Sequence, residues 1–348
     1  MTTAAQNKST IRPLLAALRD VDAAAVRGVV DDLFAPGCVV RMCHPFGDLA
    51  RENFFDTCFA PLLSAMPDVE RRDTILMCGT TRDGAEWVGC CGSYVGTFVA
   101  PFLDIPPTGH VSHMRFHEFY RLVDGKVAEV QAIWDIPELM MQADAWPMAP
   151  GLGREWHVPA PMTQDGLADS AHSDEHSDQS LTHVLDMLAA LSRHPSEPAE
   201  AMELERFWHP RMSWYGPAGI GTARGLAGFR HWHQIPFLNA MPDRGQFAGE
   251  TTAHFFAQGD YVAVTGWPDM AQTITGDGWL GIVPNGQKIT LRSLDFWRLE
   301  SGKIRENWVL VDLLHVFDQL GVDVFARLRE FNKARNMAPL DFPVGGTA

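Results

Sequence analysis

The chain has 348 residues, of which 46% are hydrophobic and 20% charged, and a formal net charge of −15. That length accommodates two or three domains with cores of their own, and the composition is globular, neither disordered nor fibrous. The acidic balance argues against a nucleic-acid or anionic-membrane partner, no apolar run nears the roughly 20 residues that span a bilayer, and Met1 to Thr10 is too polar for a secretory signal, so a cytoplasmic location is expected.

In chain order, Pro13 to Phe34 carries apolar residues at helical spacing (Leu14, Leu15, Leu18, Val21, Val29, Val30, Leu33), predicting a helix with Pro13 near its first turn. A short strand and a small helix follow, ending before Met66-Pro67-Asp68. Strands are predicted over about 72–80, 85–98, 111–122 and 127–136. The last two are joined at Val123-Asp124-Gly125-Lys126, where Asp-Gly between β-prone runs marks a hairpin. All six cysteines (Cys38, Cys43, Cys58, Cys78, Cys90, Cys91) lie in this half without a CxxC, and read as buried free thiols.

The same order then recurs. Leu181 to Leu191 and Glu200 to Trp208 are helical, Leu226 to Leu238 precedes Met241-Pro242-Asp243, and strands are predicted near 247–257, 260–274, 287–299 and 303–313. Aligning Gly125 with Gly302 pairs Pro107 with Pro284, Arg115 with Arg292, Phe119 with Phe296, Arg121 with Arg298, Glu129 with Glu306 and Asp135 with Asp312. Ten of the 34 positions from Gly109 to Gln142 are identical. A unit this long is a duplicated domain, not a solenoid repeat. The expected organisation is a first domain over 1–150, a Pro-, Gly- and Ser-rich linker over 151–179, and a second domain over 180–348 with a terminal helix and tail. Helices followed by a long meander predict α+β: two tandem cone-shaped α+β barrels, each a curved antiparallel sheet wrapped on its N-terminal helices, with a cavity at the open end. The linker's His172-Ser-Asp-Glu-His176 lacks the rigid scaffold a metal site needs, and no metal is expected.

A hairpin turning at Ser301-Gly302 without irregularity would set Asp295 opposite Trp308, Trp297 opposite Glu306 and Leu291 opposite Asp312. One face would then carry Asp295, Trp297, Glu306, Trp308 and Asp312, matched in the first copy by Glu118, Tyr120, Glu129, Gln131 and Asp135. Carboxylates among aromatic rings suit proton transfer on an apolar ligand, because desolvation raises their pKa towards neutrality. The structural alternatives are solvated turn glutamates, and aspartates capping the helices that start at Pro137 and Leu314.

Pro106-Pro107-Thr108-Gly109, Glu118-Phe-Tyr-Arg121, Asp124-Gly-Lys-Val-Ala-Glu129 and Asp135 resemble the SnoaL-like polyketide cyclases of the nuclear transport factor 2-like superfamily. Asp295-Phe-Trp-Arg298, Gly302-Lys-Ile-Arg-Glu-Asn-Trp308 and Asp312 do so again. The resemblance implies ring closure by intramolecular aldol condensation without cofactor or metal, with a last-strand aspartate as acid/base. By position that role falls to Asp312 and Asp135, with Asp312 the principal base. The family's usual Glu-His-Trp ending is Glu306-Asn307-Trp308 in the second copy and Glu129-Val130-Gln131 in the first.

Other candidates for a binding site are His44, Trp87 and His113 in the first copy, and Tyr215, His231, His233, His254 and Trp267 in the second. No glycine-rich phosphate loop, HExxH or Gly-x-Ser-x-Gly is present, which removes nucleotide, zinc-protease and serine-hydrolase readings. The expectation is therefore a lyase or isomerase working through an enolate of a hydrophobic, oxygenated small molecule. Its competitors are a noncatalytic binding pocket, and a pair in which the second copy is active and the first degenerate. The two copies are expected to form an intramolecular pseudo-dimer, burying the Phe119/Trp134 and Phe296/Val309 faces, with further self-association open.

Overall fold

The computed structural model describes residues 3–169, 172–194 and 196–341. Two helices, Thr3–Leu18 and Ala23–Leu33, open the first half. They replace the single helix expected over Pro13–Phe34, because Val21 takes φ +47° and the Asp22 carboxylate caps the second helix by accepting the Ala25 N–H at 2.8 Å. Strands β1 (Phe34–Met42), β2 (Gly47–Ala50), β3 (Glu70–Thr80), β4 (Glu86–Thr97), β5 (Val111–Val123) and β6 (Lys126–Trp134) follow, then a helix at Ile136–Gln142.

The second half begins with helix Asp174–Leu191, inside the expected linker. Its strands are β7 (Trp208–Tyr215), β8 (Thr222–Arg224), β9 (His254–Gln258), β10 (Tyr261–Thr265), β11 (Met270–Thr273), β12 (Lys288–Leu291), β13 (Ser293–Glu300) and β14 (Lys303–Val311). The six-stranded sheets have matching orders, β2-β1-β6-β5-β4-β3 and β8-β7-β14-β13-β10-β9. Each is mixed, not wholly antiparallel as expected, since β1 runs parallel to β6 and β7 to β14.

The identities that betray the duplication hold this frame together. Asp68 accepts the Thr97 N–H and Asp243 the Thr273 N–H, tying each Met-Pro-Asp turn to a strand. Arg121 pairs with Glu129 and Arg298 with Glu306. Arg115 pairs with Asp135 and Arg292 with Asp312.

The halves pack through their sheets. Phe119 stacks on Phe296 with centroids 5.0 Å apart, and His117 Nδ1 lies 2.6 Å from the Leu294 carbonyl. Asp135 accepts the Ala218 N–H of the other half, and Asp312 accepts the His44 N–H, so the two Arg–Asp pairs are used alike in both directions. Trp134 and Val309, expected on this face, point the other way, into the two interiors.

A one-residue β-bulge explains that reversal. Near the turn Glu300 faces Lys303 and Leu299 faces Ile304, as the regular hairpin requires; beyond it Arg298 faces Glu306, Trp297 faces Asn307 and Asp295 faces Val309. The first hairpin slips equally between Arg121 and Leu122. Since side chains alternate with period two, one extra residue moves Glu306, Trp308 and Asp312 to the face opposite Asp295 and Trp297. The mixed carboxylate-aromatic face read from the regular hairpin is therefore corrected: the inward set is Ser293, Asp295, Trp297, Asn307, Val309 and Val311.

The halves differ in the continuity of their strands. β4 and β5 are continuous, whereas the strand expected over 260–274 breaks after Thr265 and the one over 287–299 breaks at Arg292. Pro268 has no N–H to give a ladder, so pairing stops there, and β11 and β12 form a separate two-stranded sheet.

Candidate active site in the second half

A cavity of about 480 Å³ fills the second interior. Helix Asp174–Leu191 supplies Leu185, Leu188 and Leu191; β7 supplies Trp208 and Trp214; the broken strands supply Asp269, Gln272, Leu291 and Ser293. The hairpin adds Asp295, Trp297, Asn307, Val309 and Val311. Such a volume lies within the range of small-molecule sites.

In the first half the same place is occupied. Phe116 and Trp134 stand where Ser293 and Val311 stand in the second half, by the same offset of 177 residues (293 − 116 = 177). Tyr94 packs against both, with centroids 4.8 and 5.1 Å away. Arg71 lies 4.0 Å over the Phe116 ring and ion-pairs with Glu118 at 2.5 Å and Asp73 at 2.9 Å. Glu118 also accepts from Tyr94, Tyr120 and Trp134. Burial opposes its charge, yet the Arg71 guanidinium and these donors hold its carboxyl below the usual range. A carboxylate so fully satisfied has no lone pair to spare for a ligand.

The second interior presents two carboxyls pinned on one serine. Ser293 donates its N–H to Asp269 at 2.9 Å and its hydroxyl to Asp295 at 2.8 Å. Burial pushes Asp295 up to about 7, against the Ser293 hydrogen bond. Burial and then the Asp295 charge push Asp269 well above its ordinary value, with Arg244 pulling weakly the other way. Near neutral pH one member of such a pair holds its proton while the other titrates, the division of labour that acid–base catalysis uses.

Several polar atoms on the wall have no partner among the described residues: the indole Nε1 of Trp208 and Trp297, His233 Nδ1, and both amide atoms of Gln272. His233 stacks on Trp214 at 3.8 Å, and burial takes it down to about 3, so its ring is neutral. Buried polar atoms are ordinarily satisfied, so this cluster leaves donors and an acceptor free for polar groups that enter the cavity.

Of the residues singled out from sequence, Asp295, Trp297 and His233 line the cavity. Glu118 and Tyr120 take the equivalent places in the filled half. Asp312 binds His44 N–H, Arg292 and the His315 N–H between the halves, capping helix Leu313–Gln319. Asp135 is held by Arg115 and Ala218 N–H, without capping its helix. Trp308 donates to the Pro159 carbonyl and packs on Tyr215, whose hydroxyl binds Glu306. Gln131 accepts from Thr265; Trp87 packs on His254; His113 meets Glu138 and His157; Arg292 covers Trp267; the His44 ring faces Phe325. These lie away from the cavity, and exposed His231 packs on Trp232. Asp269, Arg244, Gln272, Ser293 and Trp208 were not singled out. The one signal for Asp269 was an aspartate directly after a proline inside a strand-like run.

Among the described residues no group of three metal-ligating side chains forms, and His176 is engaged by Asp260 at 2.8 Å. No described helix is long and apolar enough to cross a membrane.

Comparison with known proteins returns the family model described as SnoaL-like polyketide cyclase, matching residues 15–143 and again 183–320. No curated protein matches. Among solved structures, AclR from Streptomyces galilaeus is similar at 19% identity, covering 41% of this chain and 98% of that one, with a TM-score of 0.35. IdmH from Streptomyces antibioticus is 22% identical over 40% of this chain and 99% of that one, with a TM-score of 0.34. An NTF2-like protein from Burkholderia xenovorans LB400 is 16% identical over 41% and 96%, with a TM-score of 0.30.

Proposed function

The chain belongs to the SnoaL-like polyketide cyclase family, and from that premise we propose that its second half catalyses enolate chemistry on a hydrophobic, oxygenated small molecule, as a lyase or isomerase of the aldol type. The observation that carries this reading is the Asp269–Asp295 pair, fixed on Ser293 in a largely apolar cavity. Ionised Asp295 takes the proton alpha to a ligand carbonyl, and the electron pair moves onto the carbonyl oxygen as an enolate. The enolate carbon then forms the new C–C bond to a second carbonyl, whose oxygen takes a proton from Asp269. Proton transfer by a placed carboxylate contributes about 10²–10⁴-fold in rate. The base is thus reassigned from Asp312, whose oxygens are engaged between the halves. The first half serves as the filled, supporting copy, and a cytoplasmic setting suits the reading.

The test is exchange of the alpha hydrogens of 2-tetralone in D₂O, followed by NMR, for wild type, Asp295→Asn and Asp269→Asn. Accelerated exchange by wild type, reduced at least 100-fold in Asp295→Asn, supports the base; equal exchange in both refutes it. Asn307, standing where the family ending has histidine, favours a second reading as a binding protein. Tight binding of such ketones without exchange would select it.

A further inference from the structure

We propose that the cavity of the second half is built for a ligand bearing a carboxylate, which Arg244 receives. This rests on the cavity being the ligand site and adds the chemical class of what enters. Arg244 lines the cavity, half-buried, and has no hydrogen bond or ion pair with another described residue. The charged and titratable groups that influence it or feel it are Asp269 and His233. Neither forms a salt bridge with it: Asp269 is turned to the Ser293 N–H, and His233 is neutral against Trp214.

A guanidinium drawn out of bulk water without a counter-ion is costly to hold. The first half shows how this fold otherwise meets that cost: its interior arginine, Arg71, has Glu118 and Asp73 on either side. The second half keeps an arginine on its cavity wall but pairs neither Asp269 nor Asp295 with it. A planar carboxylate matches the fork of a guanidinium with two parallel hydrogen bonds, a fit no neutral ester reproduces.

The rest of the wall constrains the ligand further. Trp208 and Trp297 are 2% and 3% exposed, and each has an indole N–H without a partner. Indole nitrogen only donates, so these two sites require acceptor oxygens on the ligand. Gln272, 1% exposed, leaves both amide atoms free for one more polar group. A ring compound carrying carbonyl oxygens and one carboxylate satisfies the set.

The experiment titrates the full chain with anthraquinone-2-carboxylate and, separately, with its methyl ester, following quenching of tryptophan fluorescence. Wild type is expected to bind the acid at least about ten-fold more tightly than the ester. Arg244→Gln should erase that preference while leaving ester affinity within about two-fold, and Arg244→Lys should retain part of it. Equal affinities in wild type, or a preference that survives in Arg244→Gln, overturn the proposal while leaving the cavity reading intact. Binding of neither compound overturns both. Should Arg244→Gln not fold, the acid-to-ester ratios of wild type and Arg244→Lys decide the matter by the same criteria.

Discussion

Replacing Asp295 with asparagine tests the electrostatics of the cavity without knowledge of the substrate. The carboxyl has an ordinary value of 3.8 and stands at about 7 in the folded chain, because burial penalises its charged form. The folded state therefore binds a proton that the unfolded chain has already released between those values. Stability from this group is complete below pH 3.8, falls as pH rises, and is lost once pH passes about 7. At about 1.4 kcal/mol per pH unit the full loss is about 4 kcal/mol, an upper figure because water entering the cavity screens the charge. Burial also raises Asp269 above its ordinary value, so it acts with the same sign. Asparagine keeps the shape and an oxygen for the Ser293 hydroxyl but cannot ionise. From about pH 5 to about pH 8, Asp295→Asn should gain roughly 2–3 kcal/mol on wild type in urea unfolding. Parallel stability curves for the two proteins across that range would refute a desolvated Asp295.

Three other substitutions separate frame from site. Arg71→Met removes one partner from a buried network and leaves Glu118 charged among rings, so thermal or urea unfolding should show a loss of about 3–5 kcal/mol. Asp312→Asn should cost about 1–3 kcal/mol through weakened bonds to Arg292 and two backbone N–H groups; a fall in ligand affinity beyond two-fold would restore it as a site residue. Val311→Trp places in the second half what Trp134 places in the first. It should abolish quenching by cavity ligands while the fold, followed by circular dichroism, persists; undiminished binding would show that ligands sit elsewhere.

The duplication and the α+β architecture were legible in sequence because they rest on local signals: Asp-Gly and Ser-Gly turns, apolar periodicity, and Met-Pro-Asp at both helix ends. The site was legible only in part, for two physical reasons. A β-bulge adds one residue with no marked signature, and Arg305 at the bulge looks like any exposed strand residue. That single insertion turned Trp308 and Asp312 outward while leaving Asp295 and Trp297 inside. The second reason is long-range contact. Nothing local tells that Asp312, paired with Arg292, meets the backbone N–H of His44, 268 positions away.

Repetition also misled in an instructive way. Arg115/Arg292, Asp135/Asp312 and Glu129/Glu306 recur because each half needs the same ion pairs to fix its hairpin and meet its neighbour, so sameness between copies marks the frame. The proposed chemistry sits where the copies disagree. Phe116 against Ser293 and Trp134 against Val311 decide between a packed core and a hollow, since bulky rings in one half fill what small side chains leave open in the other. The Arg71–Glu118 pair against unpaired Arg244 decides whether the interior charge is answered by the protein or left for a ligand. The filled half then presents a rigid sheet against which the hollow half can keep unsatisfied polar groups and protonated carboxyls in place. A lone domain with that interior would have less packing to set against the cost, which is a physical reason for one chain to keep both copies.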